Sequence, residues 1–341
     1  MKIRIHRYQL PWSSRFSRNH TGQGALLSVN FDGGLGYADL HPWPSLGDQS
    51  LDEQLELLRS GKVASQLQRS LDMAQKDALS RQGKMKKLQY LAQIRNHNLI
   101  LEKTLTAPML EDRLKLLCYE SENPIFKWKI SPEKTAHTLA FLNNIAESLP
   151  NLHWRLDANG FFSFADIANF WNQLSSDAKK TIQFIEDPCR YDESDWNRLD
   201  DLGMPLAIDF ETNRWKSKSL KASPTDSGQI FFVFKPAVQD LTLWAEWLHQ
   251  NPHRFLLTSY LDHPVGLLHA LWTAEAMWKQ FPDLMQVNGL NLPISLEEVS
   301  AFWPGLHRSR DSNAHWEGVS AGGIGFDQRL ENLEWVDLGK L

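Results

Sequence analysis

Hydrophobic and polar residues alternate over Lys2–Gln9, and a second run, 25–31, leads through Asp32-Gly33-Gly34 toward a short strand near Tyr37. Strand side chains point to alternate faces, so these runs predict half-buried strands, and the Asp-Gly turn predicts a hairpin. From Ser50 the period changes. Ser50 is placed to cap a helix with Leu51, Leu55 and Leu58 on its apolar face, and Leu67, Leu71, Ala74 and Ala78 recur at helical spacing in a longer one. The first part of the chain therefore predicts an antiparallel sheet followed by helices, an α+β arrangement.

Beyond it the rhythm alternates. NLILEKTL, IFKWKI, LHWRLDAN, TIQFIEDP, PLAIDFE, IFFVFKPA and RFLLTSYL are strand-length apolar runs, separated by helical or polar stretches. This is the pattern of parallel strands joined by crossover helices. Seven or eight such units over about 200 residues favour a closed β/α barrel, although periodicity alone also accommodates an open doubly wound sheet. The glycine-rich SAGGIGFD reads as a loop.

Composition narrows the classes. The 341 residues are 42% hydrophobic and 23% charged, enough for a large barrel with an accessory domain and unlike a disordered chain. The net charge of −5 and the lack of a Lys/Arg run exclude nucleic acid as an expected partner. No run approaches the roughly 20 apolar residues of a membrane span, and MKIRIHRYQLPW has no signal-peptide core, so the cytoplasm is the expected compartment. Cys118 and Cys189 form neither a disulfide framework nor a zinc spacing. The 14 tryptophans come without a propeller or solenoid repeat and read as packing residues. No phosphate-binding glycine motif appears.

The polar residues inside the apolar runs carry the chemistry. Lys127 and Lys129 are two apart in IFKWKI, as are Arg155, Asp157 and Asn159 in WRLDANG, so each set shares a strand face. Glu186 in FIEDP, Asp209 in AIDFE and Lys235 in FVFKP each end a run. Steps of about 28, 29, 23 and 26 residues separate Lys129, Asp157, Glu186, Asp209 and Lys235, close to the roughly 30 residues of a β/α unit. One charged residue per unit, at the strand end where barrel active sites lie, converges on one point. Three carboxylates there repel and call for a cation such as Mg²⁺ or Mn²⁺. A metal and lysines together can stabilise the charge that develops when a proton leaves carbon beside a carboxylate. Asp209 and Glu211 share a face, so strand parity leaves both open as the third acid.

The ordered set FKWKI, RLDANG, FIEDP, AIDFE and FKPA resembles the enolase superfamily. Within its muconate-lactonising-type subgroup it looks most like the o-succinylbenzoate synthases, the dehydratases of menaquinone synthesis. The likeness runs from about residue 125 to 289, and SLDMAQKDALSRQGK looks like the helix linking that family's cap to its barrel. The resemblance implies an α/β fold, a (β/α)7β TIM-like barrel with an α+β capping domain. Residues 1–97 would form the cap, with 305–341 returning to it, and 98–304 the barrel. It implies Lys129 as base with Lys127 in support, Asp157, Glu186 and Asp209 on Mg²⁺ (Mn²⁺ as a substitute), and Lys235 stabilising an enediolate from the opposite face. Ser259 and Gly289 would hold a succinyl tail, and Arg155 and Asn159 would flank the metal acid. Loops near 20–23 and 42–48 would close the site. The implied reaction is loss of water from 2-succinyl-6-hydroxy-2,4-cyclohexadiene-1-carboxylate.

Two other readings stay open. Lysines on both faces also suit an N-acylamino acid racemase or dipeptide epimerase of the same superfamily. A non-catalytic barrel binding protein is the reading from another class. TSYLDHPVG departs from the family's commoner serine-rich pattern and brings in His263, as a base or, more commonly, as a loop or helix-cap residue. The expected partner is a small-molecule carboxylate, without nucleic acid or membrane, and a monomer is compatible with the sequence.

Overall fold

The chain is seen in a computed structural model that describes residues 1–11, 22–32, 34–84, 96, 98–100, 111–112, 114–115, 124–210, 212, 230–292, 296–308, 316–317 and 322–340. The alternating N-terminal runs become β1 (Lys2–Gln9), β2 (Gln23–Phe31) and β3 (Gly34–Leu40), paired antiparallel with Phe31 opposite Gly34. The C-terminal strand, Val336–Lys340, pairs with the other edge of β1. Two helices follow β3. The first, α1 (Leu51–Arg59), opens on a capping box in which the Ser50 hydroxyl accepts the Glu53 N–H and the Glu53 carboxylate accepts the Ser50 N–H. The second is α2 (Ser65–Arg81). Leu51, Leu55, Leu58, Leu67, Leu71 and Ala74 close over Ile3, Ile5, Leu27 and Val29 in one core. Gly36 lets α2 lie directly on β3, since a Cβ there would strike the Ala74 carbonyl.

The alternating region forms a parallel sheet whose described strands follow chain order: β4 (Asn98–Ile100), β5 (Ile125–Lys129), β6 (His153–Asp157), β7 (Ile182–Glu186), β8 (Leu206–Ile208), β9 (Phe231–Phe234) and β10 (Phe255–Leu257). Helices between and after them include α3 (Thr135–Ser148), α4 (Phe164–Gln173), α5 (Ser176–Thr181), α6 (Glu193–Asp201), α7 (Leu241–Gln250) and α8 (Pro264–Gln280). Residues 285–289 close the ring. Parallel bridges join Phe255 to Met285, Thr258 to Gly289 and Asn96 to Asn288. The fold is the expected (β/α)7β TIM-like barrel with an α+β cap. The expected boundary at residue 97 lies outside the described residues.

Strand parity sorts the side chains. Phe126, Trp128, Trp154, Leu156, Phe232 and Phe234 face out into the core shared with the helices. Phe184, Ala207, Phe231, Val233 and Leu256 face in and form a small separate cluster inside the barrel. The same inward parity continues to Lys127, Lys129, Asp157, Glu186, Asp209 and Lys235. The buried tryptophans, Trp154 and Trp196 among them, are packing residues as expected.

Asp77 ties the cap together from α2. Fully buried, it accepts the Tyr37 N–H at 2.9 Å, the Ile324 N–H at 2.7 Å and the Arg81 Nε–H at 2.7 Å. Arg81 continues to Asp327 and to the Gly325 carbonyl at 3.0 Å. One carboxylate thus joins a strand, a helix and the glycine-rich turn near the C-terminus. Asp77→Ala would leave a partly buried guanidinium and two N–H groups without this partner. The expected loss is about 3–5 kcal/mol, read as a lower urea midpoint at unchanged slope. A loss of only a few tenths, roughly that of an exposed pair, would contradict this role.

Candidate active site

The charged residues meet at the C-terminal end of the barrel because neighbouring strands are in register. Lys129 lies opposite Asp157, and Asp157 opposite Glu186. Lys127 projects between two acids: its Nζ is 2.7 Å from both Glu186 carboxylate oxygens and 3.0 Å from Asp157 Oδ2. Across the mouth, Lys235 Nζ is 2.5 Å from both oxygens of Asp209. Lys129 differs. Its side chain is 60% exposed, with Nζ 4.0 Å from Asp157 Oδ2 and 3.5 Å from Asn159 Oδ1. The site therefore has two lysines committed to acids and one turned to the opening.

Burial and charge pull the acids apart. Burial would raise Asp157, but Lys127, Lys129 and Lys235 hold it below the ordinary carboxylate range. Glu186 goes the other way, pushed up to about 7 by burial and by Asp157 and Asp209 against the pull of Lys127. Lys127 is desolvated, yet Asp157, Glu186 and Asp209 raise its affinity for the proton and keep it charged.

The residues expected around this core fall in three places. The Asn159 N–H donates to Asp157 Oδ1 at 3.2 Å, so Asn159 braces that acid, from a left-handed backbone with φ 49°. Arg155 reaches into the barrel one layer below. Its Nε–H donates to Gln183 Oε1 at 2.9 Å, its Nη1 to the Val287 carbonyl at 2.6 Å, and it lies over the Phe184 ring. Burial lowers it to about 9, with Glu186 opposing. Arg155 thus crosses from β6 to the closing segment as part of the barrel floor. The Ser259 N–H meets the Gly289 carbonyl at 3.2 Å and its hydroxyl donates to the Asn291 carbonyl at 2.7 Å. Glu211, the rival to Asp209, lies outside the described residues, as do His20 and Thr21 of the first expected loop.

The second expected loop is in place over the Lys235 side. Trp43 Nε1–H donates to the Tyr260 carbonyl at 2.9 Å, and the Tyr260 hydroxyl donates to Asp48 Oδ2 at 2.9 Å. Lys235 Nζ is 5.9 Å from the centre of the Tyr260 ring. Burial raises the Asp48 carboxyl, while the Trp43 N–H, the Tyr260 hydroxyl and Lys235 hold it down. Asp48 and Tyr260 were not singled out in the sequence, because a lone Asp in a loop and a Tyr beside a strand end carry no spacing signal.

Asp187 was also missed. Its carboxylate accepts the N–H groups of Asp209 at 3.1 Å and Phe210 at 2.9 Å. On a regular strand it would face away from Glu186, but a φ of 43° turns the chain at this point. Burial, then Asp209 and Glu186, raise its carboxyl well above the usual range.

His263 is a helix cap. It precedes α8, and its Nδ1 accepts the Val265 N–H at 3.1 Å, while its own N–H donates to Asp39 Oδ2 on β3 at 3.1 Å. The cap sheet and the barrel meet at this helix start.

Comparisons with known proteins agree with this fold. The family model described as O-succinylbenzoate synthase, N-terminal domain, matches residues 3–80. The o-succinylbenzoate synthase of Bdellovibrio bacteriovorus is 31% identical over 93% of this chain and 91% of its own length. Among solved structures, a substrate-liganded L-Ala-D/L-Glu epimerase from Bacillus subtilis superposes with a TM-score of 0.70 at 13% identity, covering 95% of this chain and 98% of the epimerase. A racemase from Streptomyces coelicolor with bound magnesium gives a TM-score of 0.59 at 14% identity, covering 97% and 98%. These two likenesses are of fold.

The His263 cap has a pH signature. Burial holds its ring well below the ordinary imidazole range, and His41, Arg329 and His6 add to the effect. The folded chain keeps it neutral, whereas the unfolded chain takes up a proton below about pH 6.5. Stability is therefore lost as pH falls through that value. His263→Asn keeps a capping side chain without the titration. The wild type's stability relative to this variant is expected to fall below pH 6.5 by up to about 1.4 kcal/mol per pH unit, from urea midpoints at several pH values. A difference independent of pH would contradict a neutral buried cap.

Proposed function

The chain belongs to the o-succinylbenzoate synthase family, and from that membership we propose that it dehydrates 2-succinyl-6-hydroxy-2,4-cyclohexadiene-1-carboxylate to o-succinylbenzoate, a step of menaquinone synthesis. The observation that carries the reading is the division of labour among the lysines. Lys127 and Lys235 are held by carboxylates, and Lys129 stands at the opening beside Asp157.

The acids supply the oxygen donors that a hard divalent cation takes; burial first, and then Asp157 and Asp209, raise Glu186, and such an ion would relieve that repulsion. Among the described residues no three His, Cys, Asp or Glu side chains already converge as a metal cage. Lys127 and Lys235 sit on the acids instead. By donor type the set fits Mg²⁺, with Asp157, Glu186 and Asp209 as its holders. Bound there, the ion would act as a Lewis acid on the substrate carboxylate.

The chain's own residues account for the remainder. Lys129, as a neutral amine, takes the proton from the carbon beside the carboxylate. The Lys235 ammonium, fixed by Asp209, faces the developing enediolate and stabilises its charge. Lys127 stays protonated and keeps its positive charge between Asp157 and Glu186. The hydroxyl leaves with the proton as water, and the ring becomes aromatic. Ser259 and Gly289, where β10 meets the closing segment, would line the succinyl end. Asn159 orients Asp157.

A pair of lysines also suits epimerisation, with one removing a proton and the other returning it. The short double contact of Lys235 with Asp209 supports the dehydratase, which needs only a cation at that position.

With Mg²⁺ and the cyclohexadiene acid, the wild type is expected to form aromatic product, followed by absorbance. Lys129→Ala should lower turnover by at least about 10²–10⁴-fold, with an unchanged thermal transition. Full activity in the variant would remove Lys129 as the base. Racemisation of N-acyl amino acids without any aromatic product would reverse the choice in favour of the epimerase.

A further inference from the structure

Asp209 and Lys235 stand just past the point where their strands stop pairing. Among the described residues the β8–β9 ladder ends with Ile208 opposite Phe232, and neither Asp209 nor Lys235 takes part in it. Lys235 is followed by Pro236, which has no N–H to continue a ladder. Yet the two side chains meet at 2.5 Å, and the reading above needs the Lys235 ammonium at a fixed position. Something other than the sheet must set the distance between these strand ends.

One buried side chain spans them. Gln239 is 6% exposed and uses both ends of its amide. Its Oε1 accepts the backbone N–H of Lys235 at 2.7 Å, and its Nε2 donates to the Thr212 hydroxyl at 2.8 Å. Thr212, 1% exposed, sits with its hydroxyl 2.5 Å from the Asp209 carbonyl and 3.1 Å from the Val233 carbonyl. Its own N–H also donates to the Asp209 carbonyl, at 3.2 Å. The backbone N–H of Gln239 returns to the Lys235 carbonyl at 3.0 Å. Lys235 is thus held at both its N–H and its carbonyl by residue 239, and Gln239 is fastened through Thr212 to the backbone of Asp209.

We propose that Gln239 is a positioning residue that takes over where the ladder between β8 and β9 stops and so fixes the Lys235 ammonium against Asp209. The chemistry of the side chain supports this. An amide carries a donor and an acceptor a short, fixed distance apart, which the gap between a backbone N–H and a hydroxyl requires. A carboxylate could accept from Lys235 but could not donate to Thr212, and an apolar side chain could do neither. Because the groups are buried, leaving them unpaired carries the full cost of desolvation. Gln239 touches backbone and hydroxyl, and its effect on chemistry passes through Lys235. The catalytic part of the proposal rests on the dehydratase reading; the geometric part does not.

The test uses Gln239→Met, which keeps length and loses both hydrogen bonds, and Thr212→Val, which cuts the same bridge at its other end should the first variant fail to fold. Two readouts are combined. The first is trace acetylation of the lysines, quantified by mass spectrometry, with Lys127 as internal control because its acids, Asp157 and Glu186, lie outside the bridge. The proposal expects Lys235 to react severalfold faster in either variant while Lys127 is unchanged. The second is the split of kinetic constants with the cyclohexadiene acid: kcat should fall on the order of 10²-fold, with KM and the Mg²⁺ requirement unchanged. Unchanged Lys235 reactivity would overturn the proposal, and so would an equal rise at both lysines, which marks general loosening. A normal kcat despite faster Lys235 labelling would overturn the catalytic part. If the wild type itself turns over no cyclohexadiene acid, the functional reading fails and the labelling still decides whether Gln239 positions Lys235.

Discussion

Three carboxylates at neighbouring strand ends repel one another, and the rest of this site is arranged around that repulsion. Two ammonium groups offset it. Lys127 lies between Asp157 and Glu186, and Lys235 lies on Asp209. The offset is incomplete: burial, with Asp157 and Asp209, still lifts Glu186 to about 7. Such a cluster tolerates burial only where every charge has a near partner. The apolar share is supplied from both sides: the small inner cluster around Phe184 and Val233 fills the barrel below, and the tryptophan-rich outer core fixes the strands. Arg155 completes the floor by reaching across to the closing segment.

Positions at the mouth depend on backbone that departs from regular strand. Asn159, Asp187 and Leu261 all have left-handed φ, and each lies shortly beyond the end of an inward-facing strand, after β6, β7 and β10. Such conformations are costly for non-glycine residues and persist where surrounding contacts fix them. Here each redirects a group toward the site. Asn159 gives its N–H to Asp157, and Asp187 turns its carboxylate onto the backbone carrying Asp209. Leu261 sits between Tyr260, which meets the cap loop, and Asp262, whose carboxylate accepts the Tyr260 N–H. The cap is held to the barrel at the same end, through Asp39 at the start of α8 and Arg69 to Asp240 at the start of α7. The mouth is therefore built from both units.

Much of this was legible because strand parity and β/α spacing are rigid rules. Lys127 with Lys129, and Arg155 with Asp157, share faces in the structure as their spacing requires, and the seven apolar runs became the seven described strands of the sheet. The cap helices followed their heptad-like apolar positions and the Ser50 cap. The eighth barrel segment had no apolar run of its own because Gln286 and Asn288 interrupt it; among the described residues it pairs through isolated bridges, and Asn288 Oδ1 takes the Leu257 N–H. Arg155 was expected, from the family resemblance, to flank Asp157, and its guanidinium instead bonds to Gln183 and to the Val287 carbonyl. Asp187, Thr212 and Gln239 were invisible for a common reason. Their roles are contacts to backbone across chain reversals, and no periodicity encodes these.

On the proposed reading, the three acids form one cation site whose charge the lysines balance. Calorimetric titration of the chain with Mg²⁺ tests it most directly. The account expects one ion per chain, binding largely lost in each of Asp157→Asn, Glu186→Gln and Asp209→Asn, and retained in Lys129→Ala. Mg²⁺ bound equally well by all three acid variants, or no binding to the wild type at millimolar concentration, would contradict it.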